Sequence, residues 1–124
     1  MRLFPAVNLL VFVGCSALLT GSGSVPTIED RANGYLVSIP PVDRSVDVGA
    51  FVAHNQWIIL TVVDPEYDTD SFESLRGPLI DSLSVSHFPS ATQVSMRFTV
   101  RLRGVEVVRT GGGDQTILSV FRED

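Results

Sequence analysis

The chain has 124 residues, and its 14 acidic residues against 9 basic ones give a formal net charge of −5 at pH 7. This length suffices for one domain at most, and a nucleic-acid-binding protein would usually be basic, so that class is disfavoured. The chain has a single cysteine, Cys15, so no framework of disulfides within the chain can stabilise it.

The first 24 residues have the composition of an export signal. After Met1 and Arg2, residues 3–19 carry no charge and are rich in Leu, Val, Phe and Ala, and a Gly/Ser run follows at 21–24. The apolar segment is shorter than the ~20 residues that usually span a bilayer. We therefore predict a signal helix in residues 1–24 and one folded domain in residues 25–124.

Three fates of this signal are open. Residues 12–16 resemble the lipobox of bacterial lipoproteins, which implies that Cys15 is lipidated and becomes the first residue of the mature chain. Alternatively, the apolar region runs to Leu19 and is cleaved after a small residue such as Ser24. The third alternative is an uncleaved signal that anchors the protein in the membrane.

Beyond the signal, short strand-like segments recur about every 8–12 residues and are separated by turn residues. The predicted strands are residues 35–39, 46–53, 57–63, 79–88, 93–103, 105–108 and 116–121. Residues 57–63 are apolar on both faces, which is typical of a central strand. The pattern predicts an all-β fold: a small two-sheet β-sandwich of about seven strands, with at most one short helical turn, over residues 69–75.

The predicted strand at 93–103 alternates without interruption between apolar and polar side chains. Its polar side carries Arg97, Arg101 and Arg103, so we expect one face in the core and one cationic face in water. Gly104 is expected to end this strand. Arginine forks bind carboxylates and phosphates through two parallel hydrogen bonds, so the three arginines are candidate binding residues.

The alternative is a solvated sheet face on which the arginines pair with acids of neighbouring strands. Candidate partners are Asp81, Glu106 and Glu66. Trp57, at the start of the most apolar strand, also has two interpretations. It is either a core or rim residue, or, if it is exposed, a platform on which a sugar could stack.

The chain offers little for catalysis or metal binding. The acidic run at 64–73 lacks the glycine and glutamate spacing of an EF-hand calcium loop, and we predict a solvated loop. His54 and His87 are far apart in the sequence, with no nucleophile motif and no third ligand at a characteristic spacing. The glycines at 111–113 lie between two predicted strands rather than before a helix. We therefore expect a protein that is not an enzyme and that has no cofactor and no metal.

The second half of the chain resembles the AMIN domain. The resemblance rests on residues 83–89, which end in His-Phe-Pro, the long alternating strand at 94–102, the short strand at 105–108, a glycine turn and the apolar strand at 116–120. Residues 35–39 and 57–63 fit the first half of the family pattern. Where that family usually has an arginine and an aspartate, this chain has Trp57 and Thr61.

AMIN domains are β-sandwiches of bacterial envelope proteins that bind peptidoglycan. The resemblance therefore implies an exported module, in the periplasm or cell envelope, with peptidoglycan as the expected ligand. Arg97, Arg101 and Arg103 would contact it, and Trp57 would stack on it. The alternative function is a protein–protein module that docks on an envelope assembly such as a secretin. We expect no nucleic-acid partner, and membrane contact only through a lipid anchor at Cys15 or an uncleaved signal.

Overall fold

A computed structural model describes residues 25–110 and 115–123 of the protein. In these residues the chain is mostly β, with eight strands and one short 3-10 helix. The strands are β1 (Thr27–Arg31), β2 (Gly34–Ile39), β3 (Val48–Ala53), β4 (Trp57–Val62), β5 (Ile80–His87), β6 (Thr92–Phe98), β7 (Leu102–Arg109) and β8 (Thr116–Arg122), and the 3-10 helix η1 is Asp70–Leu75. The predicted signal at 1–24, Cys15 and the glycines at 111–113 lie outside the described residues.

The strands form two antiparallel sheets of four strands each. Sheet I has the order β1-β2-β8-β7, and sheet II has the order β3-β4-β6-β5. Every strand pairing within the two sheets is antiparallel. The prediction of a β fold in two sheets, with almost no helix, is thus confirmed. Of the helices in the described segments, none has the length and apolar character that crossing a membrane requires.

The core lies between the two sheets, because each strand turns alternate side chains inward. On β4, for example, Ile58, Leu60 and Val62 are completely buried, while the residues between them are only partly buried. Rings from the two sheets meet in the centre, where the centroids of Tyr35 and Phe98 lie 6.1 Å apart. The central position predicted for β4 is confirmed, since it lies between β3 and β6.

The predicted single strand at 93–103 is wrong. Strand β6 ends at Phe98, residues 99–101 bend, and β7 starts at Leu102 in the other sheet. Gly104 does not end a strand either, because it lies inside β7 where the register with β8 shifts. The apolar alternation survives the bend because the inner faces of both sheets line the same core.

The two long sides of the sandwich are closed differently. On one side β3 lies beside β7, and the guanidinium of Arg109 donates to the carbonyl oxygens of Val46 (2.5 Å), Val42 (2.9 Å) and Asp43 (3.0 Å). On the other side, the connection at 63–79 runs from sheet II past β1, which η1 contacts. That connection is held by buried aromatic groups.

Tyr67 and Phe72 anchor this connection to the body of the sandwich. Both are buried, their rings meet edge to face, and the Tyr67 hydroxyl donates to the carbonyl oxygen of Pro40 at 2.7 Å. Burial, with a smaller contribution from the charge of Asp68, raises the pKa of Tyr67 above its ordinary value. The helical turn predicted at 69–75 is thus present as a 3-10 helix, but the N-cap residue Thr69, which precedes it, makes no side-chain cap bond.

Candidate binding face

The outer face of sheet II is the surface on which sequence-predicted site residues meet. Because Ile58 and Leu60 point into the core, Trp57 and Ile59 on the same strand point outward. The neighbouring strand β3 follows the same rule, since Ala50 and Val52 pack against the core and Phe51 lies between them. The outer face therefore carries large apolar side chains from two adjacent strands.

These side chains form one contiguous group because of the strand register. Phe51 of β3 is directly opposite Ile59 of β4, and Ala53 is opposite Trp57. Side chains that are opposite or diagonal on one face of an antiparallel pair lie within contact range of one another. Phe51 is 56% exposed, the highest value among the large exposed apolar residues of the described chain. We call Phe51, Ile59 and Trp57 the apolar patch.

Arg97 adjoins the apolar patch on its other side. It is the register partner of Trp57 on β6, and its Nη1 lies 3.2 Å from Oδ2 of Asp81 on β5. The side chains of Arg97 and Asp81 are 42% and 43% exposed, so solvent screens this ion pair, and it is worth at most about 1 kcal/mol. The guanidinium is thus held loosely in place and can exchange Asp81 for another carboxylate at small cost.

Arg101 and Arg103 do not share this face, which corrects the prediction of one cationic strand face. Arg101 lies in the bend after β6, where its Nε is 2.8 Å from Oε1 of Glu123. Arg103 belongs to β7 in sheet I, with its guanidinium carbon 5.8 Å from the centre of the Phe121 ring. The bend at 99–101 separates the three arginines, because it carries the chain from sheet II to sheet I. The alternative interpretation, in which the arginines pair with acids of neighbouring strands, holds for Arg97 and Asp81.

The two histidines lie in different parts of the sandwich. His54 is exposed in the turn between β3 and β4, with a φ of 52°. His87 ends β5, and its Nδ1 lies 3.3 Å from the carbonyl oxygen of Pro65 and 3.2 Å from the hydroxyl of Thr92. These neighbours are neutral oxygen atoms, not a carboxylate that could orient a catalytic imidazole.

Two carboxylates of the acidic run accept hydrogen bonds from the nearby backbone. Asp64 Oδ1 accepts a hydrogen bond from the N–H of Glu66 (2.9 Å), and Asp68 Oδ1 accepts one from the N–H of Asp70 (3.0 Å). These are the short-range turns that aspartate commonly stabilises. Within residues 25–110 and 115–123, no three His, Cys, Asp or Glu side chains are grouped as metal ligands would be.

Sequence reasoning selected Trp57 and Arg97 but missed Phe51 and Ile59. The available signal was that residues 57–63 are apolar on both faces although a two-layer sandwich can cover only one face of each sheet. An outer apolar face on β4 follows from that pattern. The position of Phe51 opposite Ile59 depends on the strand register, which the sequence does not display.

Comparison of the chain with protein-family models, with curated proteins and with solved structures finds no match. The resemblance to the AMIN domain therefore stays a prediction from the sequence pattern.

Proposed function

We propose that this domain is a non-catalytic binding module of the bacterial envelope and that it docks on a protein partner through the apolar patch. The observation that supports this best is the in-register group Phe51, Ile59 and Trp57 on the outer face of sheet II, with Phe51 56% exposed. Exposed apolar groups of this kind, bordered by polar residues, are typical of protein interaction sites.

The composition of the patch suits a protein interface. Tryptophan, phenylalanine and arginine are enriched in protein interfaces. Tryptophan and arginine are also enriched among the residues that dominate binding energy, and here Trp57 and Arg97 are neighbours. Completing the burial of one large apolar side chain contributes up to about 2 kcal/mol. The border of the patch is polar, with Ser95 and Ser84 following Ile59 across the sheet. A partner would therefore bury a small apolar centre that is surrounded by a polar, solvent-accessible rim.

Peptidoglycan is the second candidate ligand, and one observation favours it. Trp57 and Arg97 are register partners, so an indole that can stack on a sugar ring lies beside a guanidinium that can bind a stem-peptide carboxylate. A peptidoglycan site built from Trp57 and Arg97 needs neither Arg101 nor Arg103, whereas the site expected from the sequence used all three arginines.

The single tryptophan of the chain provides a direct test of the docking face. Proteins retained from an envelope extract by the immobilised full-length protein are identified by mass spectrometry, purified and titrated against it. Binding at the apolar patch shifts the emission of Trp57. The Phe51→Ser variant is expected to lose at least tenfold in affinity, because it removes the most exposed apolar side chain of the patch.

The matched control is Val108→Ser, which removes an exposed apolar side chain (44% exposed) from β7 in sheet I. It should leave both the affinity and the emission shift unchanged. Equal retention of the partner by wild type and Phe51→Ser would exclude the patch. Sedimentation with purified sacculi separates the two ligands: retention that is lost in Arg97→Ser and Trp57→Ser would support peptidoglycan instead.

Export and lipidation form a separate part of the proposal, supported by the composition of residues 1–24. Mass spectrometry of the mature N-terminus distinguishes the alternatives. A diacylglyceryl cysteine at position 15 indicates a lipoprotein, a free N-terminus near Val25 indicates ordinary cleavage, and an intact Met1 indicates an uncleaved anchor.

A further inference from the structure

The outer edge of β5 is a second surface, and its backbone groups pair with no neighbouring strand. Strand β5 pairs only with β6 within sheet II, so its other side is a sheet edge. The N–H of Phe88 donates to the carbonyl oxygen of Ala91 in the hairpin that follows β5. Hydrogen-bonded pairs alternate along an antiparallel ladder, so Leu83, Val85 and His87 direct their backbone groups outward, away from β6.

This edge has little of the protection that edge strands usually carry. From Ser82 to His87 the strand contains no proline and no Asp, Glu, Lys or Arg. Its register irregularity lies at the other end, between Ile80 and Ser82. By contrast, β1, which is an edge strand of sheet I, carries three charged residues in five positions. From Ser82 to His87 the β5 edge is thus the less charged of the two.

Arg76 covers one part of the β5 edge. Its guanidinium donates to the carbonyl oxygens of Asp81 (3.4 Å) and Leu83 (3.3 Å). Glu73 holds it in place through two hydrogen bonds, from Nε (3.1 Å) and Nη2 (3.2 Å). The side chains of Arg76 and Glu73 are 44% and 65% exposed, so the pair is worth at most about 1 kcal/mol and can be displaced.

The surroundings of this edge are acidic. The connection from β4 to β5 reaches both ends of β5, since Pro65 lies against His87 and Arg76 lies against Asp81. Residues 64–76 of that connection contain five carboxylates and one arginine. Two copies of this chain paired edge to edge would bring two such loops together, so charge disfavours a second copy. A cationic partner is favoured for the same reason.

We propose that the outer edge of β5 binds an extended cationic segment of a partner protein by strand addition, and that Arg76 occupies part of this edge in the unbound protein. The incoming strand takes its main-chain hydrogen bonds from Leu83, Val85 and His87. A lysine or arginine of the partner replaces Arg76 beside Glu73. This site is independent of the apolar patch, which lies on the outer face of the same sheet.

The test uses the full-length protein and an eight-residue peptide of alternating lysine and valine. We expect amide hydrogen exchange at Val85 and His87 to slow at least tenfold when the peptide is added, because their outward N–H groups become bonded. An alternating glutamate and valine peptide should leave this exchange unchanged. The Arg76→Ala variant should bind the lysine peptide several-fold more tightly, since the competing guanidinium is absent.

Charge is tested with a matched pair of variants. Glu66→Gln removes one carboxylate of the acidic loop. It should weaken binding of the lysine peptide by about two- to fivefold, as loss of an exposed ion pair does. Glu106→Gln makes the same change on β7, on the opposite side of the sandwich, and should have no effect. Unchanged exchange at Val85 and His87 with the lysine peptide, or equal binding of both peptides, overturns the proposal. If protection of these amides instead increases with protein concentration in the absence of any peptide, the edge pairs with a second copy of the chain and the proposal is wrong.

Discussion

Two buried threonines differ in whether their hydroxyl groups have a partner. Thr92 and Thr116 are both completely buried. The hydroxyl of Thr92 donates to the carbonyl oxygen of Asp64 at 2.8 Å, whereas Oγ1 of Thr116 meets no partner in the described structure. A buried polar group without a hydrogen bond carries its desolvation cost uncompensated.

This difference predicts opposite effects of the same substitution. Thr116→Val is expected to raise the free energy of unfolding by about 1 kcal/mol, because a methyl group replaces the unpartnered hydroxyl. Thr92→Val is expected to lower it by about 1–3 kcal/mol, because the Asp64 carbonyl loses its donor. Urea unfolding followed by circular dichroism measures both values. A loss of stability in both variants would show that the Thr116 hydroxyl is satisfied.

Gly34 is required by the close approach of two strands. A Cβ atom at this position would collide with the carbonyl oxygen of Val120 on β8. Gly34→Ala is therefore expected to cost about 2 kcal/mol, since backbone must move to accept the methyl group. Gly49→Ala on β3 is the matched control, because a Cβ there meets nothing within 4 Å. Equal thermal unfolding temperatures for the two variants would contradict this account.

At the scale of elements, the turn between β3 and β4 braces the bend that follows β6. The backbone N–H of Gln56 closes the turn on Ala53, so it cannot also bond to Phe98. The side-chain amide of Gln56 takes that place and donates to the Phe98 carbonyl oxygen at 3.1 Å, while the Phe98 N–H donates to the Gln56 carbonyl oxygen at 2.7 Å. The N–H of Leu102 donates to the carbonyl oxygen of Asn55 at 2.6 Å. The bend at 99–101, where the chain passes from sheet II to sheet I, is thus held in place by hydrogen bonds from the turn between β3 and β4.

We expect Gln56→Leu to lower the free energy of unfolding by about 1–2 kcal/mol, because the Phe98 carbonyl loses its donor. Gln93→Leu places the same change on the outer face of β6, where no hydrogen bond of the amide is present in the described structure, and should alter stability by less than about 0.5 kcal/mol. Urea titration of both variants measures the difference. Equal stability of the two would mean that water satisfies the Phe98 carbonyl.

The limits of sequence prediction follow from the same bend. Alternation along residues 93–103 correctly indicated which side chains face the core, because Val94, Met96 and Leu102 are all buried. It could not indicate that Leu102 belongs to another sheet, since both inner faces serve one core. The outward arginines were therefore assigned to one surface although they lie on different ones. Strand β1 was missed because its five residues are mostly exposed and charged and are held by pairing with β2 rather than by burial.

The candidate site was only partly predictable for a related reason. Trp57 and Arg97 were selected for their side-chain chemistry, which a sequence displays directly. That they are neighbours, and that Phe51 and Ile59 extend the same surface, depends on the pairing of β3, β4 and β6. Register is set by the packing of whole strands against the core.

At the scale of the whole molecule, two exposed carboxylates link stability to acid pH. The backbone N–H of Ser45, and then its hydroxyl, donate to Asp43 and lower the pKa of that carboxyl below its ordinary value of 3.8. Hydrogen bonds and charge from Arg76 lower the pKa of Glu73 below its ordinary value of 4.5. Both groups lie where the chain closes the two sides of the sandwich.

The sign of the effect follows from these shifts. A carboxyl whose pKa is lower in the folded state stabilises the fold fully above its unfolded pKa, and this contribution disappears as pH falls through the folded value. The contribution of these two carboxyls to the free energy of unfolding should therefore be fully present near pH 6 and decline below about pH 4.5. Asp43→Asn and Glu73→Gln should each flatten this decline, because each removes one of the groups that release protons on folding.

Urea unfolding of the full-length protein at a series of pH values from 6 to below 4 measures the slope. Glu66→Gln is the control, because the Glu66 carboxylate makes no hydrogen bond or ion pair in the described structure while its removal changes the net charge equally. If all three variants flattened the acid decline to the same extent, general repulsion would explain it rather than the bonds of Ser45 and Arg76. If only Asp43→Asn and Glu73→Gln did so, the decline would arise from the two local contacts.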